Sequence, residues 1–341
     1  MDWILLLEKS VLILVVFSIS LLVAMYSTYG ERKVAAFMQD RVGPDRAGPW
    51  GILQPLADGG KMFFKEDFIP DQSARLLFII GPGIAMMVAL MTSAVIPWGP
   101  DYVTATGTHS LQVSNPDMGM LYILGILSLG VYGLMIGGWA SNNKYSLYSA
   151  IRASSQIISY ELAMGLSIIA IIMMTGSLSL RDIVESQHGM NWNIFYQPLG
   201  FLLFLVCSLA ECNRAPFDLA ECETELIGGY HTEYSGMKLG FYLFAEYINM
   251  FISSTVIATL YFGGYNFPGM DSIDNPLLLT VLGVLALFIK IFFFIFVFMW
   301  IRWTLPRFRY DQLMHLGWKK LIPLAVINMV LTGLFLLLYH Q

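Results

Sequence analysis

Eight stretches of this chain are apolar for close to twenty residues each, and they constrain its fold more than any other feature. A helix needs roughly 20 mostly apolar residues to cross a hydrocarbon core about 30 Å thick. Lipid offers no partners for backbone N–H and C=O groups, so each crossing stretch is expected to be a helix. We therefore predict an all-α, polytopic bundle of eight transmembrane helices that forms a single integral membrane domain over residues 1–341. The predicted spans are residues 3–29, 74–97, 118–140, 155–176, 195–211, 239–263, 278–302 and 321–339.

The basic residues predict the orientation of this bundle. With the N-terminus outside, the inside segments contain 16 of the 19 Lys and Arg residues. The positive-inside rule then places both termini on the outer side, which is the periplasmic side of the bacterial inner membrane that we expect. The opening MDWILLLEKS lacks a basic region and a small-residue cleavage site, so it predicts a retained helix and not a signal peptide.

Motifs for redox and nucleotide chemistry are missing from the sequence. Cys207, Cys212 and Cys222 have neither CxxC spacing nor a companion His, so we expect no metal and no iron–sulfur cluster. The chain has no Walker loop and no GxGxxG, which argues against direct nucleotide chemistry. We expect no nucleic-acid partner.

The first predicted inside loop is over forty residues long, and a loop of that length usually has a function. After the turn residues GPDRAGP, Trp50, Leu53, Gly60 and Phe63 recur at helical spacing. They predict an amphipathic helix over residues 50–66 that lies at the membrane surface. That helix is either a plain anchor or the wall of an enclosed polar space that Asp58 faces.

Ionisable residues lie inside several predicted spans. Glu161 and Glu246 are each about 10 Å from the inside surface if their helices begin where the spans do, and Glu211 ends its span at the same face. Carboxylates at that depth are expensive and favour a transport or relay role. For Glu161, a structural pairing with Arg152 is the alternative. Lys290 is near the middle of the seventh span and is the expected continuation of this polar path.

The segment LAECNRAPFDLAECETELIGGYHTEYSGMK, residues 209–238, is unusually acidic for so apolar a chain. Asp218 and Glu221 fit a capping box at the start of a short helix, but capping does not explain Glu223 and Glu225. The apolar residues between them predict that the segment folds back against the bundle. Crowded, desolvated carboxylates then exchange protons as a coupled set. The carboxylates of the segment are Glu211, Asp218, Glu221, Glu223, Glu225 and Glu233.

Four long motifs follow one another along the chain. They are ERKVAAFMQDRVGPDRAGPWGILQPLADGGKMFFKE, GGWASNNKYSLYSAIRASSQIISYE, AECNRAPFDLAECETELIGGYHTEYSG and RWTLPRFRYDQLMHLGWKKLIP. In sequence and in order they resemble one family, the H subunit of respiratory complex I, the NADH:quinone oxidoreductase, whose mitochondrial counterpart is subunit 1. The resemblance covers most of the chain.

The resemblance implies roles for particular residues. Glu31, Arg32, Asp58 and Arg302 would line or support a quinone chamber, and the surface helix would flank its entrance. Quinone would be the substrate, bound at the interface with partner subunits, and this chain alone would hold no cofactor. The proton relay would consist of Glu161, Glu211, Asp218, Glu221, Glu223, Glu225, Glu233 and Glu246, with Lys290 as its continuation.

The resemblance also implies partners. These are the peripheral-arm subunits at the quinone site, the neighbouring small and antiporter-like membrane subunits, and membrane lipid. Electrons would come from NADH through flavin and iron–sulfur clusters in those partners. One alternative is the related membrane subunit of an energy-converting hydrogenase or another donor-linked dehydrogenase. A self-contained secondary transporter is the other, although the sequence lacks the internal symmetry common in such folds.

Overall fold

The computed structural model describes residues 3–104, 107–220, 226–273 and 275–339. Within these ranges seven helices are long and apolar enough to cross a membrane, and an eighth apolar helix is shorter. The predicted all-α polytopic fold is confirmed. Its helices are α1 (Trp3–Met38), α2 (Gln54–Phe64), α3 (Arg75–Thr92), α4 (Gly119–Ala140), α5 (Lys144–Thr175), α6 (Leu180–Glu185), α7 (Asn193–Tyr196), α8 (Pro198–Glu211), α9 (Gly236–Tyr261), α10 (Pro276–Thr304), α11 (Tyr310–Leu316) and α12 (Ile322–Tyr339).

Short helical turns connect several of these elements. Turns of 3-10 helix cover Pro49–Gly51, Ser93–Val95, Gly229–His231 and Met270–Ser272, and a π-helical turn at Gly317–Leu321 joins α11 to α12. We call one end of the bundle the inner end, after the predicted orientation. It comprises the last turns of α1, helix α2, and the residues between α8 and α9 and between α10 and α11.

Helix α1 continues well past the end of the first predicted span. The prediction ends at residue 29, where charged residues begin, whereas the helix runs to Met38. Charge does not end a helix, and the sequence ERKVAAFM consists mostly of good helix formers. As a result Glu31 and Arg32 are on a helix that leaves the membrane, and not in a loop.

Helix α5 also begins earlier than its predicted span. The Asn143 side chain accepts a hydrogen bond from the backbone N–H of Tyr145 and caps the helix, which then runs 32 residues to Thr175. Gly176 ends it with a φ of 72°, a left-handed conformation that suits glycine. At 1.5 Å per residue the helix is about 48 Å long, so its first turns extend beyond a hydrocarbon core of about 30 Å.

Helix α8 is too short to cross the membrane alone, since its 14 residues span only about 21 Å. The residues that follow α8 fill the remaining depth of the bundle, because residues 211–220 are all buried. Irregular backbone at membrane depth is tolerated where protein surrounds it. The prediction that the acidic segment folds back against the bundle is confirmed for its described part.

Glycines of α4 allow α3 and α9 to approach it at short range. A Cβ on Gly133 would lie 2.9 Å from the backbone nitrogen of Ala85, and one on Gly137 would lie 1.9 Å from the Tyr242 hydroxyl. Lipid gives no hydrophobic driving force between helices, so close backbone contact supplies much of the attraction. Helix α9 is the central helix and packs against α1, α2, α3, α8 and α10.

A short hairpin in the loop between α3 and α4 is not predicted by the sequence pattern. Strand β1 (Tyr102–Thr104) pairs antiparallel with β2 (Gly107–His109). Glu8 of α1 lies 2.7 Å from His109 Nδ1, and Lys9 Nζ donates a hydrogen bond of 2.6 Å to the carbonyl of Gln112. These contacts fix the hairpin to the first helix.

Helix α2 confirms the predicted amphipathic surface helix within slightly narrower bounds. It packs against α1 and α9, while large apolar side chains point outward. Phe64 is 95% exposed and Phe63 70% exposed, as expected for residues that dip into the interfacial layer. Asp58 is on the polar face of this helix.

Candidate functional site

Glu31 is the centre of a polar cluster at the inner end. It is only 6% exposed, and it forms an ion pair with Arg302 at the end of α10. The Tyr247 hydroxyl donates a hydrogen bond of 2.9 Å to Glu31 Oε2. The extension of α1 past the membrane is what brings Glu31 to this position. Buried charged groups in proteins are usually paired or hydrogen-bonded in this way.

Arg214 connects Glu31 to a second buried carboxylate. Its Nη1 is 3.4 Å from Glu31 Oε2, and its Nη2 is 3.6 Å from Glu246 Oε2. The guanidinium also lies over the Tyr247 ring, 4.1 Å from the centroid. Arg214 is 6% exposed, so these charges interact in a medium of low polarity. We call Glu31, Arg214, Glu246 and Arg302 the ionic ladder.

A cavity of about 240 Å³ opens beside the ladder, between α1, α2 and α9. Its polar wall contains Glu31, Arg32, Asp58 and Arg302, the four residues that the family resemblance groups. Arg32 Nη1 is 2.6 Å from Asp58 Oδ2, and Gln54 donates a hydrogen bond of 2.9 Å to Asp58 Oδ1. The rest of the lining is mainly apolar and includes Met25, Met62, Leu243, Phe244 and Trp303. We call this space the α1–α2–α9 cavity.

Glu246 reaches a second, much smaller cavity on the other side of the ladder. That cavity measures about 30 Å³ and is lined by Glu211, Asn213, Tyr230, Glu246 and Asn249 among others. The Tyr230 hydroxyl donates a hydrogen bond of 3.2 Å to Glu246 Oε1. The structure thus brings Glu211 and Glu246 to the same small polar space.

Contacts with α4 place Glu161 near Glu211 and Glu246 along the bundle. Ser128 of α4 donates a hydrogen bond to Glu161 Oε1. Its neighbours Leu127, Gly130 and Leu134 line the cavity that contains Glu211 and Glu246. Glu161 is also close enough to Glu211 for charge repulsion between the two carboxylates. The three glutamates therefore lie near the same part of α4.

The described part of the acidic segment is tied to neighbouring elements. Asp218 is 3% exposed and lies 2.8 Å from Arg307 Nη2, and the backbone N–H of Phe308 donates to the carbonyl of Pro216 at 3.1 Å. Glu233 accepts a hydrogen bond of 2.7 Å from Asn143, the cap of α5. Glu221, Glu223 and Glu225 lie outside the described residues, and so does the capping box expected for Asp218 and Glu221.

The end of the acidic segment is anchored by an aromatic stack. The Tyr234 ring stacks on Phe78 at 4.1 Å, and its hydroxyl donates a hydrogen bond of 3.3 Å to the carbonyl of Gly137. Burial raises the pKa of Tyr234 to about 12, so its hydroxyl stays protonated and remains a donor at neutral pH.

Lys290 is not brought together with the carboxylates. Its ammonium group donates to the carbonyls of Phe262, Gly264 and Asn266 at 2.7, 2.8 and 2.6 Å. These residues follow the far end of α9, about 24 Å along that helix from Glu246. An ammonium group has three N–H donors, and all of them are used here.

Several residues of the site are missed by sequence reasoning. Arg214 stands out in the sequence, because Lys238 is the only other Lys or Arg in the acidic segment. The sequence pattern nevertheless assigns no role to Arg214. Tyr247, Tyr230, Asn249 and Ser128 give no signal. Their roles depend on which helix faces meet, and a uniformly apolar membrane helix does not reveal its inward face.

Among the described residues no group of three or more His, Cys, Asp or Glu side chains is arranged to hold a metal ion. Cys207 and Cys212 are both buried, and Cys212 lies 3.5 Å from the Ser253 hydroxyl.

Comparison with known proteins identifies the family. The family described as NADH dehydrogenase matches residues 10–333. The NADH-quinone oxidoreductase H subunit of Flavobacterium johnsoniae is 64% identical over 333 residues, which cover 97% of this chain and 95% of that protein. The corresponding protein of Flavobacterium psychrophilum is 63% identical over 342 residues (99% and 100%), and that of Leptospira biflexa is 48% identical over 351 residues (100% and 98%). The chain belongs to the H-subunit family of NADH-quinone oxidoreductase, a membrane subunit of respiratory complex I.

Proposed function

We propose that this membrane subunit forms part of the quinone-binding cavity of the enzyme and passes the effect of quinone reduction to a chain of buried carboxylates. The observation that carries the proposal is the ionic ladder. Glu31 and Arg302 line the α1–α2–α9 cavity, and Arg214 joins Glu31 to Glu246, which lines the inner polar space. A change of charge in the cavity therefore acts directly on the first relay carboxylate.

The α1–α2–α9 cavity suits a quinone in its chemistry. A quinone has an apolar ring and tail and two carbonyl oxygens, and the cavity offers apolar walls with arginines on one side. Its volume of about 240 Å³ is below the range of about 300–1,000 Å³ that is usual for small-molecule sites. The cavity therefore fits a quinone head group or a length of its tail, and partner subunits contribute the rest of the quinone site.

Reduction of quinone places negative charge near Arg302 before protons arrive. Two unit charges 4 Å apart interact by about 4 kcal/mol at an effective dielectric constant of 20. Such a charge competes with Glu31 for Arg302. A weaker Arg302–Glu31 pair leaves Glu31 to attract Arg214 more strongly, and Glu246 then loses part of the positive charge beside it.

The relay proper consists of Glu246, Glu211 and Glu161, with the acidic segment as its connection to the inner surface. Asp218 and Glu233 hold that segment in place through Arg307 and Asn143. Glu221, Glu223 and Glu225 complete the proposed proton path. Lys290 has a different role in this proposal, since it fixes the loop after α9 to α10.

The proposed partners follow from the inner surface and from the family. Electrons come from NADH through partner subunits, and the peripheral-arm subunits at the quinone site dock on the inner end. The apolar side chains exposed there include Phe37, Leu305 and Phe308. Small and antiporter-like membrane subunits and lipid surround the bundle, and the bacterial inner membrane contains the complex with both termini on the periplasmic side.

The test uses membrane vesicles that contain the assembled complex. Glu31→Gln is expected to raise the KM for quinone, because the cavity loses the carboxylate that orients Arg302. Glu246→Gln is expected to reduce proton translocation per NADH oxidised, measured by quenching of a pH-sensitive dye. Oxidation of NADH by hexaammineruthenium, which does not use the quinone site, reports assembly and is expected to stay at the wild-type rate.

Asp117→Asn is the matched control, because Asp117 is an exposed carboxylate outside the inner end. Wild-type quinone kinetics in Glu31→Gln would refute the proposal that this cavity binds quinone. Wild-type proton translocation in Glu246→Gln would refute the relay. The two parts of the proposal are therefore tested separately.

A further inference from the structure

Glu211 separates two small buried cavities. The larger measures about 30 Å³ and also contacts Glu246 and Asn249. The smaller measures about 10 Å³ and lies against Ser208 and Ser253. Leu127 of α4 lines both, so the two spaces are neighbours on either side of one carboxylate.

Polar atoms without a hydrogen-bond partner face these spaces. In the described part of the chain, Glu211 Oε2, Asn249 Oδ1 and Ser208 Oγ are buried and accept or donate no hydrogen bond. Glu211 as a whole is only 6% exposed. Buried polar groups in native proteins nearly always have a partner, either protein or ordered water. A cavity holds one water when it offers about 10–15 Å³ and two to four polar contacts.

Asn249 is placed to act on both relay carboxylates. It follows Glu246 by three residues on α9, so the two side chains share a helix face. Glu211 approaches the same cavity from the end of α8. The amide of Asn249 has no ionisable proton, and so it can fix a water without itself changing charge.

We propose that Asn249 is a positioning residue that holds ordered water between Glu246 and Glu211, and that Ser208 holds a further water on the far side of Glu211. The larger cavity has room for about two waters and the smaller for about one. This inference deepens the proposed relay and rests on it.

The water completes a balanced proton transfer. Protonated Glu246 gives its proton to the bridging water as that water gives one of its own protons to ionised Glu211. One O–H bond breaks at Glu246 and one forms at Glu211, and the water is regenerated. Asn249 accepts a hydrogen bond from this water and keeps it aligned.

Two substitutions separate this role from simple packing. Asn249→Leu fills the space with an apolar side chain of similar size and excludes water. Asn249→Ala removes the side chain and leaves room for additional water. We expect about a tenfold loss of proton translocation per NADH in Asn249→Leu, which corresponds to the loss of one hydrogen bond worth about 1.4 kcal/mol, and a smaller loss in Asn249→Ala.

The control pair is Asn191→Leu and Asn191→Ala at an exposed asparagine, which are expected to behave as wild type. Equal loss in Asn249→Leu and Asn249→Ala would overturn the inference, because packing alone would then explain both. If Glu246→Gln abolishes translocation while Asn249→Leu leaves it intact, the relay stands and only the role of Asn249 fails.

A high-resolution map of the wild-type complex tests the site without any variant. The expected density is a water within hydrogen-bond distance of both Asn249 Oδ1 and Glu211 Oε2. Direct contact between Asn249 and a carboxylate, with no water between them, would overturn the proposal even if the variants fail to assemble.

Discussion

Removing the charge of Arg214 is the strongest test of the ionic ladder. Arg214 is the one ladder residue close to two carboxylates, at 3.4 Å from Glu31 and 3.6 Å from Glu246, and all three are buried. In Arg214→Met, Glu31 keeps Arg302 but Glu246 loses this cation. Breaking a buried ion pair by removing one partner costs roughly 3–5 kcal/mol, because it leaves a buried charge uncompensated.

The assay is the rate of thermal inactivation of NADH:quinone reductase activity in the purified complex. If about 3 kcal/mol of this cost appears in the barrier to inactivation, Arg214→Met is inactivated more than about 100-fold faster than wild type. Glu246→Gln removes the negative charge that faces Arg214. The loss of stability in the double variant, Arg214→Met with Glu246→Gln, is therefore expected to be smaller than the sum of the losses in the two single variants.

The double-mutant cycle measures the coupling free energy between Arg214 and Glu246. Residues that share an ion-pair network couple by about 0.5–3 kcal/mol, whereas independent sites add within about 0.5 kcal/mol. Coupling inside that additive range would refute the claim that Arg214 and Glu246 interact strongly. Arg214→Lys is a further control, because a lysine keeps the charge but lacks the planar fork that reaches both carboxylates.

Three further predictions follow from other parts of the chain. Replacing Glu223 or Glu225 with Gln is expected to reduce quinone-coupled proton translocation while NADH oxidation by hexaammineruthenium continues, and unchanged translocation in both variants would refute their part in the relay. Lys290→Met leaves three carbonyls without their donor, so we expect faster thermal inactivation but an unchanged number of protons translocated per NADH; a changed ratio would restore Lys290 to the relay. Gly137→Ala places a methyl group 1.9 Å from the Tyr242 hydroxyl and is expected to cost about 1–3 kcal/mol, seen as a lower yield of assembled complex. Tyr242→Phe removes the clashing oxygen, so Gly137→Ala combined with Tyr242→Phe is expected to recover part of that yield. If the yield does not recover, the added methyl group does not act through the Tyr242 hydroxyl.

The limits of sequence reasoning are clearest at the helix ends. Hydropathy predicts that the first span stops at residue 29 because charges begin there, yet α1 continues to Met38. Hydropathy reports where a helix leaves lipid and carries no information on where it unwinds. The same error displaces the start of α5, which Asn143 caps at Lys144 well before the predicted span.

The carboxylates show the opposite case, in which sequence reasoning works well. Glu161, Glu211 and Glu246 are grouped by their distance from one face of the membrane, and the structure places them around neighbouring parts of α4. Charge inside a membrane is expensive, so each such residue is informative on its own. The resemblance groups Glu31, Arg32, Asp58 and Arg302, and all four line one cavity.

The sequence by itself determined the class of fold, the number of apolar helices, the family and the residues that carry charge into the membrane. These depend on local composition and on motifs, which can be read along the chain. Only the tertiary structure decided which charges meet. Arg214 pairs with Glu31 across 183 positions of sequence, Asn249 shares a cavity with Glu211, and Lys290 donates to carbonyls far from every relay glutamate. The physical reason is that membrane helices pack through close backbone contact at small residues, and an apolar sequence does not reveal which faces will make it.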